Sequence, residues 1–187
     1  YEIAQCLVGS EMCIRDREGM ELSGEELLAE AKKLAQLCHE RGVLFVIDDD
    51  VELALEAGAD GVHVGQEDMA AKKARAILGP DKILGVSAHN PEEARKAQED
   101  GADYLGCGAA FVTGTKLDAK PITAEMMKAV TESVEIPVVA IGGITEDNIP
   151  KLTGRGLAGA AVVSAIFAAE DPRKASERLL EKIRQWE

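Results

Sequence analysis

The sequence predicts an α/β fold built on a parallel sheet. Three observations predict it: a unit that recurs along the chain, apolar runs that are continuous rather than alternating, and helical patterns that fill the gaps between those runs. The recurring unit is clearest at Glu56-Ala57-Gly58-Ala59-Asp60, which runs into Gly61-Val62-His63-Val64-Gly65. It returns as Glu99-Asp100-Gly101-Ala102-Asp103 before Tyr104-Leu105-Gly106-Cys107-Gly108. A looser copy, Gly154 to Gly159, leads into Ala160-Ala161-Val162-Val163-Ser164. Each copy reads as a helix closed by glycine, where positive φ is needed, and followed at once by a buried strand.

Three further apolar runs read as strands: Val43 to Ile47, Ile83 to Ser87 and Pro137 to Ile141. Continuous apolar character suits a parallel sheet covered on both faces. The first helix is announced by Ser23 and Glu26, a capping box ahead of Leu27, Leu28, Ala31, Leu34, Ala35 and Cys38 at helical spacing. Helical patterns follow over Val51 to Ala57, Ala70 to Leu78, Pro91 to Glu99, Ala124 to Ser133, Glu146 to Leu152 and Pro172 to Ile183. Strict alternation with short links implies right-handed crossovers. Six strands are readable; a closed (β/α)8 barrel needs eight, and a doubly wound sheet needs a glycine fingerprint that is absent here. The barrel reading therefore has its first two strands missing or replaced. No Pro/Gly/Ser-rich linker divides the chain, and residues 18–187 read as one domain.

Composition narrows the function. At 46% hydrophobic and 29% charged, the 187 residues can build a core, and a net charge of −13 disfavours a nucleic-acid backbone or an anionic membrane as partner. An aromatic content of 3% argues against stacking platforms for single strands. No apolar run approaches the roughly 20 residues of a membrane helix, and the start lacks a secretory signal pattern. Cys6, Cys13, Cys38 and Cys107 form no C-x-x-C pair and read as unpaired thiols. A soluble cytoplasmic protein is expected; oligomeric state stays open, a homo-oligomer included.

Ligands of such sheets sit at the C-terminal strand ends. Asp48, Asp49 and Asp50 follow one strand, and Gln66, Glu67 and Asp68 the next. Ser87, Ala88 and His89 follow the third, Thr113-Gly114-Thr115-Lys116 the fourth and Gly142-Gly143-Ile144 the fifth; Ser164 ends the sixth. Carboxylates at two ends suit a hard cation such as Mg2+, and glycines, hydroxyls and a lysine at the others suit phosphate. Each has a plainer reading. Asp49, Asp50 and Asp68 can cap helices, Gly142-Gly143 can be a tight turn, and Lys116 can be a solvated surface lysine. His63 reads as a satisfied core residue, His39 as an exposed helix residue, and His89 as either a surface group or a ligand contact.

Taken together, six strings in register resemble the thiamine-phosphate synthase family: Ile47-Asp48-Asp49, Gly61 to Asp68, Gly85 to His89, Gly106 to Lys116, Ala140 to Ile144 and Val162 to Ile166. The resemblance runs from about Glu18 to the C-terminus. It implies a TIM barrel that couples a hydroxymethylpyrimidine diphosphate to a thiazole phosphate, releasing pyrophosphate. By that resemblance Asp49 and Asp68 hold Mg2+, while Asp48, Ser87 and Lys116 lie at the diphosphate. Thr113, Gly114 and Thr115 meet the thiazole substrate, and Gly143, Val163 and Ser164 surround its phosphate. A related thiazole tautomerase, or a non-catalytic phosphate binder, is the alternative.

The chain departs from the family at Asp48, where Asn is usual, and at Ala109 and Val112, where proline is common. The family's opening strand, helix and Gln-x-Arg-x-Lys strand are not recognisable. Residues 1 to about 17 instead resemble a translated sequencing-adapter stretch, and they read as a leader foreign to the domain. Arg15 and Arg17 are accordingly not assigned to the basic motif. A barrel short of two strands would expose sheet edges, so poor solubility or inactivity is expected of it.

Overall fold

A computed structural model describes residues 5–9 (backbone only), 23–112 and 121–186. Strands and helices alternate along the chain, and the strand pairings are parallel. The chain falls into two compact units, Tyr1–Val86 with Asp100–Asp103, and Ser87–Glu99 with Tyr104–Glu187.

In the first unit, β1 (Gln5–Gly9), β2 (Leu44–Asp48), β3 (Gly61–Val64) and the start of β4 (Ile83–Ala88) pair in chain order. Phe45, Val62, Val64 and Leu84 are fully buried and form its core. Helix α1 (Gly24–His39) begins at Ser23, whose hydroxyl accepts from Glu26 N–H while Glu26 reaches back, the reciprocal box that the sequence announces. Helices α2 (Val51–Ala57) and α3 (Ala71–Leu78) follow, α2 capped by Asp50 and closed by Gly58 at φ 72°.

The recurrence in the sequence is a recurrence of hydrogen bonds. Asp60 donates its N–H to Phe45 O at 2.8 Å, and its carboxylate accepts Phe45 N–H at 2.7 Å. Asp103 repeats this on Leu84, at 2.8 and 2.7 Å. One aspartate thus closes both polar groups of a residue at the start of the preceding strand. Arg75 adds to the second copy, donating to Gly79 O, Lys82 O, Gly101 O and the Asp103 carboxylate. In the looser third copy the position is Ala158, which keeps only the backbone bond, to Val138 O at 2.8 Å.

In the second unit, β5 (Tyr104–Gly108), β6 (Val138–Ile141) and β7 (Gly159–Ala161) pair in chain order. Helices α4 (Pro91–Glu99), α5 (Ala124–Thr131), α6 (Ser164–Phe167) and α7 (Pro172–Ile183) accompany them. Leu105, Cys107, Met127, Val130, Ile149 and Leu152 are among its buried core side chains.

Three expectations need correction. Seven strands form, not six, because Gln5–Gly9, inside the segment read as a foreign leader, pairs with β2 from Gln5↔Leu44 to Gly9↔Asp48. The rest of that leader lies outside the described residues. The helix expected over Glu146 to Leu152 is a short 3-10 helix, Ile149–Leu152, with Pro150 in its first turn. The last strand stops at Ala161 because Val163 turns the chain and α6 starts at Ser164. Among the described residues no helix is long and apolar enough to cross a membrane.

Candidate functional site

The first unit supplies the carboxylates. Asp48 ends β2 and stands beside His63 in the β2–β3 register. The next residue, Asp49, is exposed and takes φ 65°, the one non-glycine positive φ among the described residues. Its N–H is tied to His63 O at 2.7 Å. Left-handed backbone costs a residue with a Cβ free energy, and such costs gather at functional positions. Asp68 is exposed and reaches back to Gly65, accepting its N–H at 2.8 Å. The two aspartates expected to share a cation are thus anchored two residues apart along one stretch of chain, at His63 and Gly65.

The capping alternatives now resolve. Asp50 does cap α2, accepting Leu53 N–H at 2.9 Å. The N-cap of α2 is Asp50 and not Asp49, and the N-cap of α3 is Ala70, with no side-chain cap bond, so Asp68 is not its N-cap either. Among the described residues no group of three or more His, Cys, Asp and Glu could hold a metal. A pair of exposed carboxylates nevertheless fits Mg2+, a hard cation commonly held by one or two carboxylates together with water and substrate phosphate. His63 is buried at 4% exposure and has a partner, as expected of a core histidine.

The second unit supplies the groups suited to phosphate. Ser87 is half-buried near the end of β4 and is hydrogen-bonded. His89 turns away onto α4, where its ring and N–H both meet the Glu93 carboxylate, at 2.9 and 2.8 Å. Although partial burial works against it, those bonds, the imidazole charge and Asn90 hold the Glu93 carboxyl below its ordinary value. That partnership gives His89 a structural role.

The segments after β5 and β6 are laced together. Ala110 N–H donates to Ile141 O at 2.8 Å and Phe111 N–H to Gly142 O at 3.1 Å. Gly142 and Gly143 take φ 95° and 63°. A Cβ on Gly143 would lie 2.5 Å from Val112 O and 2.8 Å from Phe111 O, so only glycine permits this approach. Val163 is half-buried and Ser164 exposed, at the turn from β7 into α6. Thr113, Gly114, Thr115 and Lys116 lie outside the described residues.

One residue passed over in the sequence stands out. Asn148 donates Nδ2–H to Gly143 O at 2.8 Å, and its Oδ1 accepts Thr145 N–H at 2.8 Å. The only sequence signal was an asparagine ahead of Ile149-Pro150, which reads as a helix cap. Cys107, wholly buried in β5, has its thiol pushed up to about 12 by burial and is no nucleophile.

The family model described as thiamine monophosphate synthase matches residues 3–166. The chain belongs to that family. It is 49% identical over 154 residues to the thiamine-phosphate synthase of Methanobrevibacter smithii, covering 82% of this chain and 74% of that protein. Against the thiamine-phosphate synthase of Alkaliphilus oremlandii it is 46% identical over 171 residues, covering 91% and 80%. Among solved structures, thiamine phosphate pyrophosphorylase from Pyrococcus furiosus superposes with a TM-score of 0.83 at 40% identity, covering 97% of this chain and 82% of that one. That match bears out the α/β, TIM-like fold expected from the sequence. A 3-hexulose-6-phosphate synthase from Salmonella typhimurium, at TM-score 0.71 and 20% identity, shares the fold alone.

Proposed function

We propose that the chain is a transferase of thiamine biosynthesis. It couples 4-amino-2-methyl-5-(diphosphooxymethyl)pyrimidine to 4-methyl-5-(2-phosphoethyl)thiazole or its carboxy form, giving thiamine phosphate and pyrophosphate, with CO2 also released from the carboxy form. Membership of the family and the relatives' names support the reaction. The observation that carries the assignment of the site is Asp49, held in left-handed backbone on the His63 carbonyl, with Asp68 anchored two residues farther along at Gly65.

Asp49 and Asp68 would hold Mg2+, which when bound neutralises charge on a departing pyrophosphate. Ser87 and Lys116 contact the diphosphate, and Lys116 supplies a positive charge to offset the negative charge that the leaving group gathers. Thr113, Gly114 and Thr115 orient the thiazole phosphate, with Gly143, Val163 and Ser164 around its phosphate. The pyrimidine methylene loses its bond to the diphosphate oxygen and gains one to the thiazole nitrogen. No side-chain nucleophile takes part, and the residues act by binding and orientation. Asp48 places an extra carboxylate beside the diphosphate. The free buried thiols Cys38 and Cys107 support a reducing, cytoplasmic setting.

The test is pyrophosphate release by the purified chain with each substrate alone, both together, and both with Mg2+ chelated. Release only with both substrates and Mg2+ is expected; release from the pyrimidine diphosphate alone would refute coupling.

A further inference from the structure

We propose that Asn148 is a positioning residue for the thiazole phosphate, holding the Gly142-Gly143 turn in the shape that presents its backbone N–H groups to a phosphate monoester. The inference rests on the reading of Gly143 as part of the phosphate site.

Asn148 sits at the N-cap of the 3-10 helix Ile149–Leu152, where an asparagine side chain ordinarily accepts N–H groups of its own helix. It makes no such bond. Both ends of its amide are turned back onto the turn, Nδ2 donating to Gly143 O and Oδ1 accepting from Thr145 N–H. Its backbone closes the same loop, with Asn148 N–H on Thr145 O at 3.3 Å and Ile149 N–H on Thr145 O at 3.0 Å. The carbonyl of Gly143 is therefore pinned from behind by a side chain. Pinning that carbonyl fixes the following peptide plane, and with it the N–H that Ile144 carries. On the other side, the Phe111 and Val112 carbonyl oxygens leave no room for a Cβ on Gly143. The turn is thus clamped between a backbone wall and one amide. Two consecutive positive-φ glycines are intrinsically mobile, and without the clamp they would have to be ordered at the moment of binding.

The experiment measures binding without turnover. Calorimetry on the wild-type chain, Asn148→Ala and Asn148→Asp uses two probes: the thiazole phosphate, and the same thiazole with a free hydroxyethyl group. Asn148→Ala removes both side-chain bonds, whereas Asn148→Asp keeps an acceptor for Thr145 N–H and loses the donor to Gly143 O. In both variants the phosphate ester is expected to bind about tenfold more weakly, with the alcohol unchanged within about twofold. Steady-state kinetics should show KM rising for the thiazole phosphate and not for the pyrimidine diphosphate.

Equal weakening of both probes, unchanged binding of the ester, or unfolding of both variants would overturn the proposal, as would a wild-type chain that does not bind the ester. A wild-type chain that binds the ester but never couples the substrates defeats the transferase reading and leaves the Asn148 comparison readable.

Discussion

Substituting Asp49 by glycine and by alanine should move stability and activity in different patterns. Both substitutions remove the carboxylate and any bond it makes, so the difference between them isolates the backbone. At φ 65° a Cβ costs about 1–2 kcal/mol relative to right-handed backbone. Glycine escapes that cost but loses about 0.5–1 kcal/mol more in chain entropy on folding. The balance favours Asp49→Gly over Asp49→Ala by about 1 kcal/mol, or about 3 °C in Tm for a chain of this length. The N–H bond to His63 O survives in both. Activity should not follow that order. If Asp49 holds Mg2+, each variant loses Mg2+-dependent pyrophosphate release by about 100-fold or more, glycine no less than alanine. Paired thermal melts and a pyrophosphate assay across a Mg2+ titration give both readouts. Asp49→Ala melting at or above Asp49→Gly would refute the strain argument. An Asp49→Gly enzyme turning over at the wild-type rate would refute the ligand assignment.

Arg75→Ala should destabilise by about 2–3 kcal/mol in urea unfolding, because it leaves the carbonyls of Gly79, Lys82 and Gly101 without their donor; Arg75→Lys should recover less than half, and a neutral Arg75→Ala would show those carbonyls find water freely. The Glu93 carboxyl is held below its ordinary 4.5, so its contribution is fully present above that value and is lost as pH falls through the lower folded value. Urea midpoints taken from about pH 7 down to about pH 3 should therefore fall less steeply for Glu93→Gln than for wild type, and parallel curves would contradict the shift.

What could be read from the sequence, and what could not, divides along physical lines. The Ser23/Glu26 box, the Gly58 closure and the buried strand Gly61–Val64 are local: the signal and the structure it forms lie within a few residues. The strand ends carrying Asp49, Asp68, Ser87 and Gly143 were legible from alternation alone. The positive φ of Asp49 was invisible, because left-handed backbone is legible where glycine marks it and Asp49 bears a side chain. Asn148 was passed over for the opposite reason, since its sequence context is an ordinary helix-cap signal, while in the fold its amide turns to the Gly143 carbonyl instead. The helix expected from Glu146 fails because Asn148 closes the turn and Pro150 has no N–H to donate to a helical bond. Strand β1 escaped notice because its segment was judged by resemblance, while Cys6-Leu7-Val8 is an apolar run able to pair with β2.

The weakest copy of the repeat offers a constructive test. Asp60 and Asp103 each close the N–H and the C=O of one strand residue, Phe45 and Leu84, with distances that agree within 0.1 Å. Ala158 makes the same backbone bond to Val138 O at the same 2.8 Å, so its Cα stands where an aspartate would direct a carboxylate at Val138 N–H. Ala158 is exposed, as Asp103 is, so the added side chain meets no packing obstacle. Ala158→Asp should therefore install a third clamp worth about 0.5–1.5 kcal/mol, the net value of one charge-assisted hydrogen bond near solvent. The matched losses, Asp60→Ala and Asp103→Ala, should cost at least as much, because each also releases a side-chain partner, His39 or Arg75. A urea midpoint for Ala158→Asp at or below wild type, alongside clear losses in the other two, would show that the third copy has drifted in geometry as well as in sequence, and that similar backbone distances do not suffice to place the carboxylate.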